Sequence, residues 1–404
     1  MHKKALEDVK VADFTWVAAG PLTTSYLAQC GATVVKIESL SRLDGIRTFP
    51  PNKDGQAGPN RSLLFSMDNA NKLSMTLNLN HTKGIEVAKR LVAWADIVAE
   101  NFRPGTMERW GLGYEDLKRI NPSIIMFRSS AQGQTGPHAG MGTTGITLQS
   151  LSGFTFLTGW PDRDPAPPWG AYTDLTVPAF GAAMMTAALD YRKRTGKGQC
   201  LDLSQYEASL QYLAPAILDY FVNGRCATRS GNSCPYAAPH GVFRCAGNDR
   251  WCSIAIFTEE EWNAFCAAVG KPEWTNDPKF ATVLGRKENE VELNGLIEEW
   301  TIAHTPEEVM DLLQDQGISA GVVQNAADLF QDPQLKERGF LKQMDHDEIG
   351  PLSHRGVASK LSGTPCEVSM PGPCLGAHTE RVCREFLGMS DEEFVELLNA
   401  GTFE

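Results

Sequence analysis

The sequence predicts an α/β fold, a doubly wound large domain joined to a smaller α+β domain. Three observations carry this. Strand-length apolar runs alternate with helical patterns over residues 9–130, as in βαβ units laid on a mostly parallel, Rossmann-like sheet. An irregular stretch, GRCATRSGNSCPYAAPHG at 224–241, breaks that alternation. Two short strands and several helices follow it, as expected of a separate unit. The boundaries therefore read as 1–223 for the N-terminal part of the large domain, 224–332 for the small domain, and 333–404 for a return segment that completes the large one.

In chain order, VKVADFT (9–15) is a strand, AGPLTTSYLAQCG (19–31) a helix and ATVVKIE (32–38) a second strand. LSMTLNL (73–79), the helix 82–95 and DIVAEN (96–101) form the next unit, then a short helix at 114–120 and the strand SIIMFRSS (123–130). Ligands of such sheets bind at the carboxyl ends of the strands, here the loops 14–21, 38–47, 101–109 and 129–140. Residues 41–62, polar and rich in Pro, Gly and Asn, read as a surface excursion. Within the small domain, GVFRC and WCSIAIF are strands, and 259–269, 288–303 and 306–316 are helices. A last helix spans 391–400.

Segment 169–199, WGAYTDLTVPAFGAAMMTAALDYRKRTGKGQ, places a lone carboxylate, Asp174, just ahead of a helix rich in small residues. Thr176 is the expected N-cap and Pro178 falls in the first turn. Phe180, Ala183, Met184, Ala187 and Ala188 recur at helical spacing. Arg192, Lys193 and Arg194 complement the C-terminal dipole, and Gly196 stops the helix. Beside the positive helix end Asp174 stays ionised at neutral pH. That suits a carboxylate nucleophile and a solvated cap equally, and the local pattern leaves both open.

Composition excludes several classes. With 42% hydrophobic and 21% charged residues, the chain has the make-up of a soluble globular protein. A net charge of −12 disfavours nucleic acid and anionic membranes as partners, while allowing a local basic pocket. No apolar run reaches the roughly 18 residues of a membrane span, and MHKKALEDVKVADF lacks a signal-peptide core. The ten cysteines show neither CxxC nor metal-ligand spacing, so no metal site is expected and reduced thiols in a cytoplasmic protein are. FTWVAAGP follows the first strand where a nicotinamide-binding fold would carry GxGxxG, which disfavours an oxidoreductase.

Several segments, taken together and in order, carry a resemblance. VADFTWVAAGPLTTSYLAQCGATVVKIE, NANKLSMTLNL, ADIVAENFRPGTMERWGL, the TDLTVP…RTGKGQ block, GISAGVV, QDPQL and PCLGAHT resemble the class III CoA-transferases, the family of formyl-CoA transferase and carnitine CoA-transferase, over about residues 6–390. The resemblance implies that Asp174 is the nucleophile, passing through an aspartyl mixed anhydride and an aspartyl-CoA thioester. Coenzyme A thioesters and free carboxylic acids are then the substrates, with no permanently bound cofactor. It also implies a CoA site. Trp16, Val17 and Ala18 would line the thiol arm, although formyl-transferring members carry His and Gln where this chain has Trp16 and Ala18. Asn71 and Lys72 would lie in the nucleotide pocket, with Asn101 in the ENF motif and Arg109 on a CoA phosphate. By charge and loop position Arg47 is a second phosphate ligand; for it, as for Lys72, a solvated surface cation is the alternative.

His240, in AAPHG, lies where relatives place a glycine-rich lid; here only Gly231 and Gly241 remain, and His240 either meets substrate or bonds within a turn. Trp169 and Tyr172, with Trp160, would offer apolar surface to a bulky acid. Segments 159–173 and IESLSRLDGIR look most like transferases using succinyl-CoA and substituted succinates such as benzylsuccinate. The resemblance further implies an open-ring chain interlocked with a second one, as a homodimer or with a homologous chain. The α-methylacyl-CoA racemases share an Asp at the position of Asp174 but pair it with a His in GHD. The matching GMGTTGITLQS at 140–150 has none, so an acid–base pair is missing. A CoA-binding subunit without activity is a further alternative.

Overall fold

The structure, a computed structural model, describes residues 4–404. Its contacts divide the chain into two compact units. One holds the chain up to Thr155 together with Pro167–Cys226 and Gln334–Glu404; the other holds Phe156–Ala166 and Ala227–Pro333. The sequence reading left 156–166 in the large domain. In the structure those residues bond within the second unit, where Gly231 N–H donates to Gly159 O at 2.9 Å.

The first unit is built on a six-stranded parallel sheet: β1 (Lys10–Asp13), β2 (Thr33–Glu38), β3 (Leu73–Thr76), β4 (Ile97–Glu100), β5 (Ile125–Ser130) and β6 (Cys200–Ser204). The spatial order is β3-β2-β1-β4-β5-β6. Strand order reverses between β1 and β4, the switch point at which such sheets open a crevice for ligands. The strands are apolar because helices cover both faces. Val35, Met75, Leu91, Val98, Met126, Val382 and Phe394 make one core, and Val11, Leu27, Ile97, Phe127, Met185 and Ala188 the other. Val382 and Phe394 come from the C-terminal stretch, so the large unit's core is closed by residues more than three hundred positions from β3.

Strand β6 was not expected from the sequence. It pairs only with β5 and alternates exposed and half-buried residues (CLDLS), so it lacks the apolar signature of its neighbours.

The second unit holds a three-stranded antiparallel sheet, β7 (His240–Arg244), β8 (Trp251–Ala255) and β9 (Ser319–Val322). Helices Glu259–Ala268, Glu290–Thr301 and Pro306–Gln314 pack on it through Phe265, Ile297 and Leu313. In the return segment, β10 (Leu341–His346) and β11 (Gly350–Arg355) form a hairpin. One expectation about the cysteines is corrected. Cys30, at the C-cap of the first helix, is disulfide-bonded to Cys366 in the return segment, while Cys200, Cys234, Cys245, Cys252, Cys266, Cys374 and Cys383 are free thiols. Among the described residues, no helix is long and apolar enough to cross a membrane.

Candidate active site

The loop after β1 lies at the switch point, and buried charges hold it. Lys36, fully buried on β2, donates to Thr15 O (2.7 Å) and to Asp44 Oδ2 (3.0 Å). Asp44 Oδ1 accepts from Val17 N–H (2.9 Å). From the other side, Asn101 at the end of β4 accepts from Trp16 N–H and donates to Trp16 O, both at 2.7 Å. Val17 has φ +67°, a conformation that costs a β-branched residue about 1–3 kcal/mol and persists only where surroundings impose it. Beneath the loop, Asp13 accepts from Thr15, Thr24 and Lys72. Burial alone would raise the Asp13 carboxyl, but Lys72 and Lys36 together hold it below its ordinary value. Burial likewise opposes the charge on Lys36, yet Asp44, Glu38 and Asp13 keep its pKa raised. The network stays ionised and pins the loop that faces the crevice.

Asp174 sits differently from the expectation. The helix runs Tyr172–Thr195, so Asp174 lies in its first turn rather than ahead of it, and Thr176 is inside the helix. Its start is set at a distance: Gln149 Oε1 accepts from Tyr172 N–H at 3.0 Å. Pro178 therefore falls beyond the first turn, and no N–H returns from it to the Asp174 carbonyl four residues earlier. The carboxylate faces the start of the Gly145–Leu151 helix. A Cβ on Gly145 would stand 2.8 Å from Asp174 Oδ2 and would collide with Ala171, so only glycine admits the carboxylate there. Burial pushes the Asp174 carboxyl up to about 6, and the Asp68 charge adds in the same direction. Desolvation thus outweighs the helix terminus, although the group remains mostly ionised at pH 7.

Several expected CoA ligands are already spent. Lys72 is fully buried, and its ammonium donates to Asp13 Oδ2, Pro21 O and Asn69 Oδ1, each at 2.9 Å. All three of its donors are used. Arg47, also fully buried, forks onto both oxygens of Glu38 at 2.7 Å, donates to Pro59 O and stacks 3.6 Å from the centre of the Phe65 ring. Neither is a solvated cation, and neither offers a phosphate a free donor. Asn71 (φ +63°) clasps the return segment, accepting from Ser369 and Met370 N–H and donating to Glu367 O. Asn101 acts on Trp16 rather than facing outward. Arg109 is exposed and bonds only locally, to Thr106 Oγ1 (3.0 Å), so most of its guanidinium is available. Trp16 packs edge-on against Phe102 at 5.4 Å, while Val17 is exposed and Ala18 half-buried.

Tyr172 packs edge-on against Phe154, and Trp169 is 88% exposed. In the second unit His240 Nδ1 lies 2.7 Å from Asn232 O; a carbonyl only accepts, so this nitrogen carries the proton. His240 also lines a cavity of about 850 Å³ in that unit.

Known proteins share this architecture. The model of CoA-transferase family III matches residues 6–379. The chain belongs to CoA-transferase family III. Among its relatives in the family is the succinyl-CoA–D-citramalate CoA-transferase of Chloroflexus aurantiacus, 33% identical over 98% of this chain and 97% of that one. The succinyl-CoA–L-malate CoA-transferase beta subunit of the same organism is 32% identical, covering 97% of this chain and 96% of its own length. A solved CAIB/BAIF family protein from Brucella suis superposes with a TM-score of 0.87 at 30% identity, over 96% of this chain and 100% of the other.

Within that family the site contains residues that sequence reasoning passed over. Lys36 and Asp44 lie in segments quoted for the resemblance but were not singled out there; their burial and their bonds to the Thr15–Ala18 loop reveal their role. Gly145 was within reach, since GTTG stands directly opposite Asp174, but its role depends on a contact 29 residues away. Asp68, paired to Arg355 of the return hairpin at 2.8 Å, is pushed up to about 6 by burial and is the charge that acts on Asp174.

Proposed function

We propose that this CoA-transferase moves CoA from succinyl-CoA to a free acid of the substituted-succinate type, using Asp174 as a covalent relay. The observation that carries the reading is the Asp174 carboxylate, half-buried, above its usual pKa and facing the glycine that opens the neighbouring helix. A carboxylate with a raised pKa is a stronger nucleophile than a solvated one, provided it is ionised.

An Asp174 oxygen attacks the thioester carbonyl, the C–S bond breaks, and a mixed anhydride and CoA thiolate result. The thiolate then attacks the Asp174 acyl carbon, releasing the donor as a free carboxylate and leaving an aspartyl-CoA thioester. The acceptor carboxylate attacks that thioester, giving a new anhydride and thiolate. Attack of the thiolate on the acceptor's carbonyl completes the new acyl-CoA and frees Asp174. Each step exchanges one acyl derivative for another of similar energy, so no nucleotide is consumed. Trp16, Val17 and Ala18 line the thiol arm, held in place by Asn101 and Asp44, and Arg109 meets a CoA phosphate. The relatives named for citramalate and malate support a diacid acceptor, and benzylsuccinate belongs to the same class.

We further propose that two chains interlock, as a homodimer or with a homologous chain. In the Ala214–Asn223 helix, Leu218, Tyr220, Phe221 and Val222 are 59–84% exposed, more contiguous apolar surface than a lone chain normally presents. Sedimentation equilibrium should return twice the chain mass, and a monomer at micromolar concentration would reject the interlock. For the nucleophile, incubation with succinyl-CoA followed by hydroxylamine should place a hydroxamate on Asp174 by peptide mass spectrometry. A label on any other residue would sink the relay. Absence of α-carbon deuterium exchange with a chiral 2-methylacyl-CoA would separate this reading from a racemase.

A further inference from the structure

We infer that the Cys30–Cys366 disulfide is a reversible thiol–disulfide exchange site, a tether that low-molecular-weight thiols open and that sets how firmly the return segment is held. The bond joins residues 336 positions apart. It therefore closes most of the chain, Asp174 and the whole second unit included, into one covalent ring. Cys366 stands where the return segment most needs an anchor. Between β11 and the helix that begins at Thr379, residues 356–378 form neither helix nor strand, so no backbone ladder fixes them. Residues 358–363 are exposed, and soon after them Cys366 meets Cys30 at the C-cap of the first helix. Both cysteines are only half-buried, within reach of a small thiol, unlike the buried Cys245, Cys252 and Cys383.

Non-covalent contacts keep the two sulfurs in register when the bond is open. Glu367 N–H donates to Gln29 O at 2.9 Å, beside Cys30, and the Glu367 carboxylate pairs with Lys4 at 2.7 Å. Asn71 accepts from Ser369 and Met370 N–H, both at 2.9 Å, and donates to Glu367 O at 2.7 Å. Most of these groups are exposed, where such bonds contribute little each, so they align the segment without replacing the tether. Further on, Pro373 O accepts from the buried Arg47, and Leu375 N–H donates to Asn60. Opening the disulfide thus loosens the start of this stretch while the fold beyond it stands. Closing it again needs little further ordering, because the loop ends are already together. In the exchange, one thiolate of an external dithiol attacks a sulfur of the pair. The S–S bond breaks, one cysteine leaves as thiolate, and a mixed disulfide forms. The second external thiolate attacks the external sulfur of that mixed disulfide, releasing the other cysteine and a cyclic disulfide. Two electrons pass from the dithiol to the protein, and the two cysteine thiolates take up the two protons the dithiol lost. Oxidised glutathione reverses the sequence.

The full chain, treated with oxidised glutathione and digested without reductant, should yield a Cys30 peptide joined to a Cys366 peptide by mass spectrometry. Dithiothreitol added to the folded chain, followed by iodoacetamide, should instead leave both cysteines alkylated. Hydrogen exchange then reads the tether. The amides of Glu367, Ser369 and Met370 are expected to exchange about 10-fold or more faster in the reduced chain, with peptides from β1 and β4 unchanged. The melting midpoint should fall by roughly 5 °C on reduction and recover when oxidised glutathione is restored. Cys366→Ser should match the reduced chain and ignore dithiothreitol, which separates this pair from the remaining thiols. If that variant fails to fold, the two redox forms of the unsubstituted chain still decide. Three results overturn the inference: no joined peptide in the oxidised chain, a bond that dithiothreitol opens only after denaturation, or exchange and midpoint that are equal in the two forms.

Discussion

Around the Thr15–Ala18 loop, the polar contacts come from buried or half-buried groups, Lys36, Asp44, Asp13 and Asn101, each with its partners in place. The opposite wall, residues 134–146, is mostly exposed, and Arg103 and Ser130 beside it are unpartnered among the described residues. On the proposed reading the first wall meets the part of the substrate that is common to every thioester, the CoA thiol arm, so its polar groups are fixed in advance, whereas polar groups on the other wall are left open. Pre-organisation lowers the cost of binding a constant ligand, whereas selectivity among acids needs groups that an unsuitable acid leaves unsatisfied.

The largest expected effect breaks the chemistry and leaves both walls standing. Asp174→Ala should lower kcat by ~10³-fold or more with CoA binding retained, as isotope exchange and calorimetry together would show. Next comes the rigid wall. Asp44→Ala strands the Lys36 ammonium in the interior and should cost about 3–5 kcal/mol in urea unfolding. Asp44→Asn, which keeps an acceptor for Val17 N–H, should cost less. Unchanged stability in Asp44→Ala would mean that the loop is not held in the way described. A gentler break is Asn101→Ala, which removes two hydrogen bonds to Trp16 and should raise KM for thioesters roughly 10-fold while the midpoint of unfolding hardly moves. A fall in kcat with KM unchanged would place Asn101 in the chemistry instead.

The smallest effects concern protons. Since Asp174 must be ionised and its pKa is pushed to about 6 by burial and Asp68, kcat/KM should rise with pH through about 6 and level off above it. Asp68→Asn should move that rise to lower pH. Stability runs in the opposite sense. Between the ordinary value of 3.8 and about 6 the folded chain binds the proton more tightly than the unfolded one, so this group's contribution falls as pH rises through that window and stays low at pH 7. Asp174→Asn should therefore gain roughly 1–2 kcal/mol at pH 7, read as a higher melting midpoint that vanishes near pH 4.

Strands β1 to β5 and the main helices between them were legible because each depends on short-range pattern, apolar runs and helical spacing; the local pattern at Asp174 left cap and nucleophile both open, and only the resemblance favoured the nucleophile. The class of chemistry followed from several motifs in order, since no single one was specific. Lys72 and Arg47 could not be read correctly. What decides their role is a carboxylate 59 residues away for one and nine for the other, and a long cation that ends in solvent looks the same in sequence as one that ends on a buried acid. The start of the Asp174 helix was misplaced for a related reason, because its cap is the side chain of Gln149, 23 residues upstream. By itself, then, the sequence determined five of the six strands of the large sheet and the family, and it singled out Asp174 as the candidate nucleophile, all from patterns of local order. Tertiary structure alone decided which charges are buried and which are free, because burial and pairing arise only when distant segments close on one another.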